Sequence, residues 1–357
     1  MRWRSRFRRE RRSHRPWRNA APPGRVLLIR LHALGDVALV LPAASAISRA
    51  WPGARVDMLT APPSDAIART LPSLGNVFVL PAAGGRTMRV LHAIRHGLAL
   101  RKLKYDVIID FQRNYVTRII RRVSGPSAWS EFDRFSPLSA SRRVIDTVAA
   151  CGLRDPAHDI PVPQSAAALL AARNRLLDAG WDGSRRLVAF NPAGLWPTRN
   201  WPLENYVELY RLWQAREPLT VVIIGTERVR SRGEEIARRG GRGVINLAAQ
   251  TGAGEAFALL RHTDVIITED SGLMHMAWSA GVPVVALFGS TNSVWSSPAG
   301  DRAVCLDSSD LDCGQCMAPA CRFGDVRCLT RRTPAEVLAA AADLLARCRV
   351  PHPGAHA

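Results

Sequence analysis

The stretch VIITEDSGLMHMAWSAGVPVVALFGST, residues 265–291, decides how the chain is read. An apolar, β-branched run ends at Thr268, and Glu269-Asp270-Ser271-Gly272 forms a polar turn. A helical segment over 273–280 stops at Gly281, a residue type that suits a helix C-terminus. A second apolar run then ends in Gly289-Ser290-Thr291. Strands written as continuous apolar runs and separated by helices make parallel sheets covered on both faces. The turn before the helix presents free backbone N–H groups and the positive end of the helix dipole, which together form an anion site. Gly272 admits close backbone approach, Ser271 adds a hydroxyl, and His275 lies one turn in. On spacing alone a plainer reading stands beside this one: Asp270 and Ser271 cap the helix and His275 packs in the core.

The same alternation runs outward along the chain. Strand-like runs occupy residues 26–30, 56–60, 77–80 and 107–111, and then 187–191, 221–225, 244–247, 265–268 and 284–288. Helical patterns at 38–49, 88–104, 168–179 and 254–262 lie between them, and another at 333–347 follows. A Pro- and Ala-rich stretch at 155–168 separates the two series. The expected class is α/β, with two Rossmann-like domains, residues 25–165 and 166–349, facing across a cleft. Residues 1–24 and 350–357 read as disordered tails.

The chain has 357 residues, 47% hydrophobic and 22% charged, a globular balance with a formal net charge of +19. Its first 18 residues hold nine Arg and one Glu. Such an arm touches nucleic acid, lies on an anionic membrane, or has no role. Trp3, Phe7 and Trp17 favour the membrane, and no nucleic-acid partner is expected. Arg30, His32 and Asp36 interrupt the apolar run that follows, which argues against a signal peptide or a membrane span. A cytoplasmic protein, peripheral at an anionic membrane surface, is the expectation.

Three further stretches carry chemistry. In NPAGLWPTRNWPLENY, residues 191–206, Arg199 sits on a Pro-stiffened loop where a guanidinium suits phosphate, and Thr198 beside it offers a hydroxyl. In VVIIGTERVRSRGEE, Glu227 follows a strand end, where a carboxylate accepts from ribose hydroxyls, although a surface Glu is the plainer reading. In RVLLIRLHALGDVALVLPAASAI, residues 25–47, Asp36 caps a helix, holds a nucleotide, or takes a proton. The strand-following G-x-G-x-x-G, the G-x-x-x-x-G-K-[ST] and the G-x-S-x-G motifs are all missing, which excludes a standard dinucleotide fold, a P-loop and a hydrolase elbow.

Taken together, RLHALGDVALVLPA, NPAGLWPTRNWP and TEDSGLMHMAWSAGVPVVALFGST resemble glycosyltransferase family 9, the bacterial heptosyltransferases, over roughly residues 25–345. The resemblance implies the GT-B architecture and an inverting transfer of a sugar, typically heptose from an ADP-sugar, to a lipopolysaccharide core or related anionic, lipid-linked acceptor. It implies Asp36 as the base that takes the acceptor proton. It also implies a donor site in which Arg199 replaces a Lys on the phosphate, Glu227 holds the ribose, and Asp270, Ser271, Gly272 and His275 fill the D-[ST]-G-x-x-H motif. Thr251 falls where the nucleotide base is lined. No cofactor is required by this chemistry, and a metal-free mechanism is expected. Cys313, Cys316, Cys321 and Cys328 form C-x2-C-x4-C-x6-C, a set that suits structural Zn or an iron–sulfur cluster, or else a thiol-rich flap. Competing readings are a GT-B-shaped nucleotide-sugar epimerase and a non-enzymatic basic adaptor. The basic run FQRNYVTRIIRR, with Arg113, Arg118 and Arg121, is read as a contact for an anionic acceptor.

Overall fold

The computed structural model describes residues 14–81, 84–153 and 161–348. The long apolar runs become two six-stranded sheets. The first contains β1 (His14–Arg15), β2 (Arg25–Ile29), β3 (Arg55–Thr60), β4 (Val77–Val79), β5 (Val107–Asp110) and β6 (Ala128–Glu131), in the order β1-β6-β5-β2-β3-β4. Only β1 runs antiparallel, His14 opposite Ser130 and Arg15 opposite Trp129. The second contains β7 (Arg186–Asn191), β8 (Leu219–Ile223), β9 (Val244–Asn246), β10 (Val265–Glu269), β11 (Val284–Leu287) and β12 (Ala303–Leu306), in the order β12-β11-β10-β7-β8-β9, parallel throughout. Central residues such as Leu27, Leu28, Ile108, Val188 and Ile266 are fully buried, as helices on both faces require.

In each sheet the strand order reverses once, between β2 and β5 in the first and between β7 and β10 in the second. Ligand crevices open outside the carboxyl ends of strands at such points. The two crevices face each other because the helix Leu34–Ala50, after β2, packs on the helix Gly272–Ser279, after β10. One buried cluster runs through both domains, joining Val37, Leu41 and Ala44 to Leu273, Met274 and Ala277.

Several expectations are corrected in detail. Residues 1–13 of the expected N-terminal tail and residues 349–357 lie outside the described residues. Residues 14–24, in contrast, are tied to the first domain, through β1 and through the Trp17 N–H donating to the Cys151 carbonyl at 2.9 Å. The helix after β2 begins four residues earlier than its pattern suggests, which places Asp36 in its first turn. Strands β6 and β12 have four residues each and carry no readable periodicity. None of the described helices is long and apolar enough to cross a membrane.

Candidate active site

The second domain supplies a rigid polar turn. Ser271 is the N-cap of the helix Gly272–Ser279, and its Oγ accepts from the Met274 N–H at 3.4 Å. That hydroxyl donates to Asn191 Oδ1 at 2.6 Å, while Thr268 Oγ1 donates to the same oxygen at 3.1 Å. The end of β10 is thereby tied to the end of β7. The loop after β7 brings Arg199 to the turn, with its Nη2 2.6 Å from Asp270 Oδ2 and also donating to the Asp270 carbonyl. The guanidinium lies 5.1 Å from the Trp196 ring centroid, a cation–π contact that fixes its plane. His275 is buried, and its Nδ1 makes no hydrogen bond among the described residues. Burial lowers its pKa against the opposing pull of Asp270 and Asp36, so the ring is neutral at neutral pH.

The first domain supplies one carboxylate. Asp36 accepts from the Ala33 N–H at 3.4 Å and is paired with the Arg30 guanidinium. It therefore helps to cap its helix, yet its side chain stays 45% exposed, open to a ligand. Gly35 fixes where it stands. A Cβ on Gly35 would lie 2.9 Å from Gly272 Cα and 2.9 Å from His275 Cδ2. Only a glycine lets the backbones meet so closely, and this contact sets Asp36 opposite the turn that carries Asp270, Ser271 and His275.

Other expected residues are placed differently. Glu227 follows β8 at the carboxyl edge of the sheet, exposed and bidentate to Arg230 at 2.7 and 2.8 Å. That partner holds its carboxyl below the ordinary range. Thr251 Oγ1 is buried with no hydrogen-bond partner among the described residues, beside the helix Ala253–Leu260. Thr198 is buried, and its Oγ1 donates to the Ala318 carbonyl at 2.6 Å and lies 2.9 Å from Ser290 Oγ. Its hydroxyl thus joins the loop to the cysteine segment.

Cys313, Cys316, Cys321 and Cys328 line one cavity of about 320 Å³ together with Thr198 and Ser290. All are free thiols. Among the described residues no group of three or more His, Cys, Asp or Glu side chains is placed to hold a metal ion. Their surroundings differ: Cys316 is exposed, burial raises the Cys328 thiol, and backbone N–H groups of Phe323 and Val326 lower the Cys321 thiol. The four thiols thus surround one cavity, an arrangement common to the structural-metal reading and to the thiol-rich flap.

The basic run after β5 is also corrected. Arg113 and Arg121 are buried and converge with Arg118 on Glu131, at 3.6, 2.6 and 3.3 Å respectively. Arg121 further stacks 3.6 Å from the Trp129 ring centroid. Arg113 and Arg121 serve the core of the first domain, and Arg118, 38% exposed, is held by the same carboxylate. Sequence reasoning also missed Glu269. It reads as part of the turn but is the fully buried last residue of β10. Its carboxylate accepts from the N–H groups of Gly194 and Trp201 at 2.5 and 2.7 Å and from Arg232 Nη2 at 3.3 Å. The first two bracket Arg199, so Glu269 clamps both ends of the loop that presents it. Burial pushes its carboxyl up to about 7 against the pull of Arg232. The only sequence signal was an acidic residue directly after an apolar run.

Comparison with known proteins bears on the family and the fold. The lipopolysaccharide heptosyltransferase 1 of Pseudomonas aeruginosa is 27% identical over 325 residues, 84% of this chain and 88% of that protein. The lipopolysaccharide heptosyltransferase 2 of Salmonella typhimurium is 23% identical over 78% of this chain and 86% of its own length. Two solved structures share the fold at 20% identity. A family 9 glycosyl transferase from Veillonella parvula superposes with a TM-score of 0.77 over 91% of this chain and 97% of that one. The E. coli ADP-heptose LPS heptosyltransferase II does so with 0.71 over 91% and 100%. Both support the GT-B architecture for the two sheets described above. The sequence model of glycosyltransferase family 9 (heptosyltransferase) matches residues 93–327, and the chain, a glycosyltransferase, belongs to that family.

Proposed function

We propose that the chain transfers heptose from ADP-heptose, with inversion, to an anionic sugar of a lipopolysaccharide-type core at the cytoplasmic face of the inner membrane. The observation that carries this reading is the Gly35–Gly272 contact, which sets Asp36 against the Arg199–Asp270–His275 turn. In the reaction Asp36 takes the proton of the acceptor hydroxyl as its oxygen bonds to the anomeric carbon. The bond from that carbon to the diphosphate breaks on the opposite face, and ADP leaves with the electron pair. Charge growing on the diphosphate is met by Arg199 and by the N-terminal N–H groups of the helix Gly272–Ser279. Glu227 and Thr251 are the residues offered to the ribose and the base.

The acceptor side of this reading rests on a cavity of about 500 Å³ lined by Arg134, Phe135, Ser136, Pro137, Arg143 and Trp295. It spans the first domain and the second-domain helix Ser293–Ser296. Arg134 and Arg143 form no ion pair among the described residues, and Arg143 feels the field of Asp36. Trp295 is 47% exposed and offers a face to a sugar ring. Two cations and an indole suit a carboxylated or phosphorylated sugar. This cavity takes over the role first given to Arg113, Arg118 and Arg121.

Thermal-shift binding of ADP, UDP, GDP and CMP to the wild type and to Arg199→Ala tests the donor assignment. Stabilisation by ADP alone, lost in the variant, is the expected outcome. A preference for UDP or GDP keeps the transferase and changes the sugar donor. No response to any of the four contradicts the donor site.

A further inference from the structure

The helix Arg86–Arg101, RTMRVLHAIRHGLALR, holds four Arg and neither Asp nor Glu. Its inner face is small and apolar: Ala93, Gly97 and Leu100 are buried. A Cβ on Gly97 would lie 2.7 Å from Val123 Cβ, so this face is pressed against the helix Tyr115–Ser124. The outer face is also apolar. Met88, Leu91, Ile94 and Leu98 are 47%, 54%, 38% and 50% exposed. At about 100° per residue these four occupy one sector of about 120°, opposite Ala93. Arg95 and the C-cap residue Lys102 project in the same sector, and Arg101 flanks it. Arg95, Arg101 and Lys102 form no ion pair among the described residues.

An exposed apolar stripe on one helix marks a contact surface, and the interspersed cations select what it contacts. A second copy of the chain would bring like charges face to face. An anionic lipid surface satisfies both features, since apolar side chains enter the headgroup–acyl boundary while Arg and Lys meet lipid phosphates. The placement fits as well. The helix starts beyond the carboxyl end of β4, on the rim of the first sheet where Asp36 also stands.

We propose that the outward face of the helix Arg86–Arg101 docks on an anionic membrane, with Met88, Leu91, Ile94 and Leu98 inserted and Arg95 and Lys102 on lipid phosphates. Delivery of a lipid-linked acceptor to the cleft rests on the proposed function; the docking itself does not.

The test is co-sedimentation of the full chain with vesicles of phosphatidylethanolamine and phosphatidylglycerol, and with vesicles of phosphatidylcholine alone. Leu91→Ser/Leu98→Ser and Arg95→Glu/Lys102→Glu alter exposed side chains, and an unchanged melting temperature confirms their folding. The wild type is expected to partition onto the anionic vesicles, and each double variant about tenfold less. The serine variant should bind less at high salt too, where the arginine-rich residues 1–18 contribute little. Wild-type binding in the serine variant overturns the proposal and assigns the membrane to those N-terminal residues. So does equal wild-type binding to both vesicle types, or sedimentation velocity showing self-association that the variants abolish while vesicle binding persists. None of these readouts uses turnover, so failure of the transferase reading is seen separately.

Discussion

The two walls of the cleft are built in opposite ways. On the wall proposed to hold the donor, called the donor wall below, the side chains of Arg199 and Asp270 are 13% and 9% exposed and bound to each other. Ser271, Asn191 and Thr268 lock together behind them, and Glu269 anchors the loop from below. On the wall proposed to receive the acceptor, called the acceptor wall below, Asp36 is nearly half exposed, and Arg143, which feels its charge, lines an open cavity. A small, uniform ligand such as a nucleotide diphosphate rewards a preorganised site. A large, lipid-linked acceptor requires an open face and a base it can reach. The contrast predicts that donor-wall substitutions act on nucleotide affinity and stability, whereas acceptor-wall substitutions act on turnover and acceptor affinity.

Four substitutions away from Asp36 sharpen or break this contrast. Arg199→Ala removes the guanidinium that pairs with Asp270 and should weaken ADP binding by about 10- to 100-fold, read by calorimetry. A loss confined to the acceptor KM would break the contrast. Glu269→Gln leaves the N–H of Gly194 or of Trp201 facing an amide N–H, a buried mismatch that costs about 1–3 kcal/mol. Denaturant unfolding should show that loss, together with about tenfold weaker ADP binding. In an Arg199→Ala background the affinity part should vanish if the clamp acts through Arg199. Arg143→Ala should raise the acceptor KM by about tenfold and leave the donor KM unchanged; equal changes in both would remove the cavity from the acceptor wall. The smallest effect concerns His275. Its folded pKa lies below the ordinary 6.5, so the unfolded chain binds the proton more readily. Its contribution is present above about pH 6.5 and is lost as pH falls. The melting-temperature advantage of wild type over His275→Gln should therefore shrink on acidification.

Much of this organisation was legible in the sequence because parallel strands buried on both faces leave long apolar runs, and helix starts leave Ser and Gly behind them. Residues 265–291 alone declared strand, turn, helix and strand, and all four elements are present, with the first strand running on to Glu269 and the helix beginning one residue earlier, at Gly272. Strands β6 and β12 were not legible, since four residues at a sheet flank carry no period. Arg113 and Arg121 were misread because their partner, Glu131, comes from a later strand that pairs with β5. Glu269 was missed for a related reason: its value lies in N–H groups some 70 residues upstream, which local pattern does not disclose. The cysteine spacing marked a common site, and the four thiols do line one cavity.

The central claim is that Asp36 is the base and that donor binding belongs to the other wall. Asp36→Asn keeps the shape of the side chain and removes its ability to accept a proton. Sugar transfer and ADP affinity should be measured on the same sample of this variant. The account predicts transfer reduced by at least about 100-fold with ADP affinity unchanged. Transfer near the wild-type rate, or a loss of ADP affinity that accounts for the lost turnover, would contradict it.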